Sequence, residues 1–135
     1  MVSLGGNDAL LNIDILDLPV SSTREALLLF GARSSRFERV YREAIQAVVD
    51  LGRPTICCTI YNGNLGEHEA PAARVALMLF NDVIVRVAHE LGVGILDLRL
   101  VCTEPSDYAN PIEPSGQGGL KIARAIAKAL GIPRT

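Results

Sequence analysis

The chain has 135 residues, a formal net charge of −2 and 49% hydrophobic residues. This composition is typical of a globular chain rather than a disordered one, and the length predicts one domain, residues 1–135, or a part of one. Nucleic acid and anionic membranes are not expected as partners, because Lys and Arg form no cluster and Trp is absent. Neither a transmembrane run nor a leader sequence is visible, so we expect the cytoplasm.

The apolar pattern alternates between strands and helices along the chain. Strands are predicted at residues 1–4, 54–61 and 93–101. Helices are predicted at 24–30, 35–50, 71–91 and 117–130. The helix starts are marked by Ser21, Ser22 and Thr23, by Ser35 with Glu38, by Pro71 and by Ser115, and the last helix ends at Gly131 and Pro133.

Two of the predicted helices have an apolar face that should point inward. In helix 35–50 the face comprises Phe37, Val40, Tyr41, Ala44, Ile45 and Val48. In helix 71–91 it comprises Val75, Met78, Leu79, Ile84, Val87 and Leu91. The element order implies right-handed crossovers and a parallel sheet with helices on both faces, which is an α/β fold. No helix precedes the first strand, so one edge of the sheet should be bare and apolar.

Cysteine usage points to structure rather than chemistry. Cys57, Cys58 and Cys102 are odd in number and lie in or beside predicted strands. We interpret them as buried, reduced thiols that act as small hydrophobic side chains. Adjacent cysteines on a strand point to opposite faces and do not form a metal-ligand pair, so no metal ion and no cofactor are predicted.

Ligands of open parallel sheets bind beyond the carboxyl ends of the strands, where this chain has three polar loops. The loops span residues 5–17, 61–69 and 102–118, and we expect them to converge on one crevice. Their polar residues are Asn7, Asp8 and Asp14, then Asn62, Asn64 and His68, then Glu104, Asp107, Tyr108, Asn110 and Glu113.

Several of these residues admit two interpretations. Gly5 and Gly6 would let backbone N–H groups approach a ligand, and Asn7 would donate to a developing oxyanion, but Gly-Gly-Asn-Asp is also ordinary turn chemistry. His68 is a candidate base in a polar, solvated stretch. His89 lies near a helix end, where charge–dipole contact explains it.

Two motifs resemble the SGNH (GDSL-type) hydrolases. Gly5-Gly6-Asn7-Asp8 at a strand end looks like that family's third block, Gly-x-Asn-Asp. The stretch 107–115, which leads into Gly118 and Gly119, occupies the place of its last block. The resemblance covers essentially the whole chain and corresponds to the C-terminal two-thirds of such a domain.

The resemblance implies a flavodoxin-like three-layer α/β/α fold that is truncated at its N-terminus, and hydrolysis of a small-molecule acyl ester. It assigns Asn7 as an oxyanion donor beside the backbone N–H groups of a nucleophilic Ser and of a second-block Gly. Those two groups would lie upstream of residue 1. The family's Asp-x-x-His is replaced here by Asn110-Pro111-Ile112-Glu113. Glu113 would be the base only in a dry site, Asn110 has no charge to orient it, and Asp107 is the alternative.

Three hypotheses follow. The chain is a piece of an SGNH-like esterase or lipase-type enzyme that needs absent strands for turnover. Alternatively, it is a non-catalytic module that binds a small acyl or sugar ligand in the same pocket. The third hypothesis is a structural module whose bare sheet edge pairs with a second copy or with a separate N-terminal segment.

Overall fold

A computed structural model describes residues 1–131, so Pro133, one of the two predicted helix-ending residues, lies outside them. Within this part of the chain the α-helices are α1 (Gly6–Leu11), α2 (Thr23–Val49), α3 (Ala70–Glu90) and α4 (Gly116–Ala129). The strands are β1 (Ile56–Cys58) and β2 (Gly94–Leu96), and short 3₁₀ helices span Ile13–Asp17, Leu98–Leu100 and Pro105–Asp107.

The sheet is parallel, as predicted. Ile56, Cys57 and Cys58 of β1 lie opposite residues 94–96 of β2, and Cys57 also forms a parallel bridge to Val2 on its other side. The predicted strand 1–4 is therefore reduced to one paired residue. Val2 N donates to Ile56 O at 2.8 Å, and Val2 O accepts from Cys58 N at 2.9 Å. Beyond it Gly5, with φ of 105°, turns the chain into α1.

Helix α2 is one continuous helix, so the predicted break between residues 30 and 35 is wrong. Its cap is Ser22, whose hydroxyl accepts from Glu25 N at 3.1 Å, whereas Ser35 and Glu38 lie in its interior. A glycine inside a helix costs only about 1 kcal/mol relative to alanine. The packing of the long helix against α3 outweighs that cost at Gly31.

The core lies between α2, α3 and the face of β1 that carries Cys57. It is formed by Phe37, Tyr41, Ile45, Cys57, Phe80, Val83, Ile84, Val87 and Ala88. The predicted inward faces are partly wrong, because Val40 is 53% exposed, Val75 63% and Met78 59%. The two helices are also joined by Arg86, which donates to Glu38 Oε2 at 2.8 Å and helps lower the pKa of Glu38 to about 2.

Both strands end earlier than predicted because polar side chains take over their backbone partners. The buried Asn81 of α3 accepts from Ile60 N at 2.7 Å and donates to Ile60 O at 3.0 Å. After β2, the Thr59 hydroxyl accepts from Leu98 N at 2.9 Å and donates at 2.8 Å to Asp97, which caps the 3₁₀ helix Leu98–Leu100. Because of these contacts, the segments after β1 and after β2 both leave the sheet at the same end.

Helix α4 begins as predicted, with Ser115 as its cap: the hydroxyl accepts from Gly118 N at 3.2 Å. The helix packs against β2 and the turn Pro105–Asp107, and it ends at Ala129, shortly before Gly131, which has a φ of 68°. Helices thus flank the parallel sheet, and the fold is α/β as predicted.

All three cysteines are buried and free, as predicted, and burial raises the pKa of each thiol. No helix among residues 1–131 combines the length and apolarity needed to cross a membrane. Within the same residues no group of three potential metal ligands comes together.

Candidate functional site

A cavity of about 520 Å³ opens at the carboxyl ends of Val2 and β1. All three predicted loops reach it, through Asn7, Asn62 and Glu113 respectively. Its volume lies in the range of small-molecule sites, which are usually apolar with a few polar groups. The structure therefore brings the two motifs at opposite ends of the chain to one cavity.

The first motif is a helix start rather than an open loop. Gly5 is buried, and an added Cβ would lie 3.0 Å from Phe37 Cζ, so this position needs glycine for packing as well as for its positive φ. Gly6 and Asp8 also line the cavity. Asn7 is exposed at the cavity, and within residues 1–131 its amide makes no hydrogen bond to another side chain. That amide is free to donate to a ligand.

Arg33 of α2 holds the segment that carries these residues, and the sequence analysis missed it. Its Nη1 donates to Asn12 Oδ1 at 2.8 Å and its Nη2 to Asp14 Oδ2 at 3.0 Å. Asn12 in turn donates to Asp8 O at 2.7 Å. One signal existed: on a continuous helix, Phe30, Arg33 and Phe37 share a face at spacings of three and four.

Glu113 lines the cavity, and Asn110, which lies outside the lining, forms a hydrogen-bonded pair with it. Asn110 Nδ2 donates to Glu113 Oε2 at 2.7 Å, and Asn110 Oδ1 accepts from the N–H groups of Ile112 and Glu113 at 2.9 Å each. An uncharged amide therefore orients the carboxylate after all, as a donor. Glu113 itself is exposed, so the dry site that its role as base requires is not present here.

Two contacts fasten the Glu113 turn to the loop after β1. Tyr61 Oη donates to Ile112 O at 2.9 Å, and Asn64 N donates to Pro111 O at 2.9 Å. Gly63 has a φ of 75°, and a Cβ there would lie 2.7 Å from Pro111 O, so the close approach requires glycine. The Glu113 turn is thus positioned by the β1 loop as well as by its own chain.

Asp107 does not reach the cavity, which contradicts its prediction as a pocket residue and as an alternative base. Its side chain is fully buried and forms an ion pair with Lys121 Nζ at 2.7 Å. It also accepts from the N–H groups of Thr103 and Glu104 at 3.0 Å each. Lys121, followed by the Glu104 backbone, holds the pKa of Asp107 below its ordinary value. Asp107 is a structural anchor between its turn and α4.

Neither histidine lines the cavity. His68 is exposed in the turn before α3, and His89 is exposed in the last turn of α3, in keeping with the charge–dipole interpretation. The titratable side chains at the cavity are instead Asp8, Arg33, Tyr61 and Glu113. Among the described side chains that line the cavity, the carboxylates that could accept a proton are those of Asp8 and Glu113.

The walls of the cavity are apolar. Helix α3 contributes Ala73, Ala76, Leu77 and Phe80, and these face Phe30 of α2 and Leu16 of the segment after α1. An apolar body with a polar mouth suits a ligand that carries a small polar head and a hydrophobic remainder.

Comparisons with known proteins assign the fold. The structure is similar to the crystal structure of LAE5, an alpha/beta hydrolase enzyme from the metagenome of Lake Arreo, Spain, with a TM-score of 0.69 and 21% sequence identity. The likeness covers 98% of this chain and 59% of the LAE5 chain, so this chain spans about three-fifths of that length. No protein-family model and no curated protein matches the sequence.

The chain therefore shares the fold of the matched part of LAE5, an α/β fold in which helices flank a parallel sheet. The likeness carries the fold alone, and the function has to be argued from the cavity and its side chains.

Proposed function

We propose that the chain forms the oxyanion-donor and base half of an SGNH/GDSL-type acyl ester hydrolase, with its nucleophilic Ser on a segment outside this chain. The observation that supports the proposal is the convergence of Asn7 and Glu113, which is hydrogen-bonded to Asn110, on one cavity at the carboxyl ends of parallel strands. Each stands where the resemblance to that family assigns a catalytic group.

In the proposed reaction Glu113 acts as the general base, and the segment outside this chain that carries the Ser, together with the bound ester, supplies the dry surroundings that the exposed carboxylate lacks here. The Ser hydroxyl transfers its proton to the Glu113 carboxylate while its oxygen attacks the ester carbonyl carbon, and Asn7 Nδ2 donates to the resulting oxyanion. Collapse of the intermediate breaks the C–O bond, and the leaving alkoxide takes the proton from Glu113. Water then repeats the sequence on the acyl-enzyme and releases the acid. Asn110 holds one carboxylate oxygen of Glu113 and leaves the other for the proton.

The test is hydrolysis of p-nitrophenyl acetate by the 135-residue chain and by a version extended upstream in its reading frame to include a Gly-Asp-Ser segment. We expect activity only in the extended protein. In that protein Asn7→Ala should lower kcat by about two to three powers of ten, the cost of removing one oxyanion donor. Asn64→Ala is the matched control, because Asn64 does not line the cavity.

The role of Glu113 has its own pair of variants. Glu113→Gln should abolish turnover and leave folding intact, whereas Glu67→Gln, at an exposed position outside the cavity, should leave turnover unchanged. Full activity in Glu113→Gln would remove it from the mechanism.

A non-catalytic binding module is the second candidate, favoured by the absence of both histidines from the cavity and by the exposure of Glu113. Hydrolysis in neither protein, combined with ligand binding, would support it.

A third candidate, pairing through the sheet edge, is favoured by Val2, which has β1 on one side and no strand on the other among residues 1–131. A dimer in size-exclusion light scattering would support pairing with a second copy. The buried, free thiols suit a reducing compartment such as the cytoplasm.

A further inference from the structure

The cavity wall on α3 has one continuous face. Ala73, Ala76, Leu77 and Phe80 follow the i, i+3, i+4, i+7 pattern, so they lie on the same side of the helix. Ala73, Ala76 and Leu77 are only partly buried although they line a concave site. A bound hydrophobic group would cover this surface and gain about 25 cal/mol for each Å² of apolar surface removed from water.

We call the part of the cavity between this α3 face, Phe30 and Leu16 the apolar arm. Helix α2 and the segment before it form the side of the arm opposite α3. Phe30 is partly buried, and Leu16 is 37% exposed although it belongs to the same lining. The two alanines on α3 leave the arm open at the position where larger side chains would fill it. The arm is therefore suited to a flexible, slender hydrophobic chain.

The charges at the mouth select the head group. Asp8 and Glu113 present carboxylates, and the cation Arg33 is already engaged by Asp14 and Asn12. An anionic head would meet these carboxylates, and among residues 1–131 the cavity lining offers no cation besides Arg33 to offset them. The amide of Asn7 can instead donate to an uncharged carbonyl oxygen.

We propose that the cavity binds an aliphatic acyl chain joined to an uncharged carbonyl, as in an ester or amide, and that Ala76 sets the room available for the chain. This inference deepens the proposed function and rests on it for the placement of the carbonyl beside Asn7. The location of the chain follows from the walls alone.

The probes are octanamide, its anionic counterpart octanoate and the short acetamide, titrated into the 135-residue chain and followed by backbone-amide NMR. We expect octanamide to shift the signals of residues 73–80 and of Phe30, and to bind about tenfold or more tightly than octanoate, which is about 1.4 kcal/mol. Acetamide should leave the signals of the α3 wall unchanged. Equal affinity for octanamide and octanoate would overturn the choice of head group.

The variant Ala76→Phe fills the arm, and we expect it to weaken octanamide binding about tenfold or more, as a misfit in an apolar pocket does. The matched control is Ala72→Phe, on the exposed side of the same helix and outside the cavity lining. Unchanged binding in Ala76→Phe would overturn the placement of the chain.

A milder change, Ala73→Val, should also weaken octanamide and covers the case in which Ala76→Phe fails to fold. Octanamide binding without ester hydrolysis in the extended protein would support this inference and refute the proposed catalysis. Hydrolysis of acetyl esters without octanamide binding would do the reverse.

Discussion

Neighbouring glycines at the start of α4 should respond to alanine in opposite directions. An added Cβ at Gly118 would overlap the carbonyl oxygen of Asp107 and lie 3.0 Å from its carbonyl carbon and 3.3 Å from its Cα. All three are backbone atoms, and the same carbonyl accepts from Ser115 N at 2.8 Å, so the turn cannot move aside without losing that bond. Gly118 therefore permits α4 to contact the Asp107 turn.

The magnitude follows from two opposing terms. Overpacking costs about 1–3 kcal/mol, and overlap with a pinned backbone places Gly118→Ala at the upper end. The higher helix propensity of alanine returns about 1 kcal/mol, so we expect a net loss of about 2 kcal/mol. At Gly119 nothing lies within 4 Å of an added Cβ. Gly119→Ala should therefore stabilise the protein by about 0.5–1 kcal/mol.

The assay is urea unfolding of both variants and the parent chain, followed by far-ultraviolet circular dichroism. The informative quantity is the difference in unfolding free energy between the two variants, because both substitutions add the same methyl group to the same turn of helix. If Gly118→Ala proved as stable as Gly119→Ala, α4 would not lie against the Asp107 turn, and the argument from close approach would be refuted.

Two further predictions concern the anchors of the Glu113 region. Because the folded chain lowers the pKa of Asp107, its ion pair with Lys121 stabilises the fold above the ordinary carboxyl pKa of about 3.9, and this contribution is lost as the pH falls below it. Lys121→Met should therefore flatten the fall in unfolding free energy between about pH 5 and pH 3, and an unchanged slope would contradict the pairing. Tyr61→Phe removes the donor to Ile112 O, so urea unfolding should show a loss of about 0.5–1.5 kcal/mol. Tyr108→Phe, which breaks a comparable bond to Cys102 O, is the control and should show a loss of similar size, whereas an unchanged free energy of unfolding in Tyr61→Phe would contradict the bond to Ile112 O.

The strand–helix alternation was predictable because it depends on local pattern. The β-branched run around β1 and the cap at Ser115 both proved correct. The convergence of Asn7, Asn62 and Glu113 also followed from the rule that parallel strands end at one edge.

Features set by tertiary packing were not predictable from local pattern. Gly31 with Ser35 and Glu38 resembles a helix break followed by a capping box, yet long-range packing keeps α2 continuous. The inward face of α3 was correct at Ile84 and Val87 but wrong at Val75 and Met78, because that helix has apolar residues on several sides and its periodicity does not identify one face.

Side-chain partners far apart in sequence were equally hidden. The burial of Asp107 depends on Lys121, and the orientation of Glu113 depends on Tyr61 as well as on Asn110. Nothing in the spacing of these residues distinguishes a carboxylate that anchors a turn from one that faces a cavity.

Asn81, a residue of helix α3, determines where β1 leaves the sheet. A strand normally ends when the neighbouring strand does, but here one side chain supplies both the acceptor and the donor for Ile60. The end of β1 therefore depends on Asn81 rather than on the length of its partner strand. The loop from Tyr61 to Gly63 begins at the position that Asn81 fixes. Substitutions in that loop can therefore change the cavity lining without altering the sheet. A substitution at Asn81 would instead shift the start of the loop and with it the lining residues Tyr61, Asn62 and Gly63.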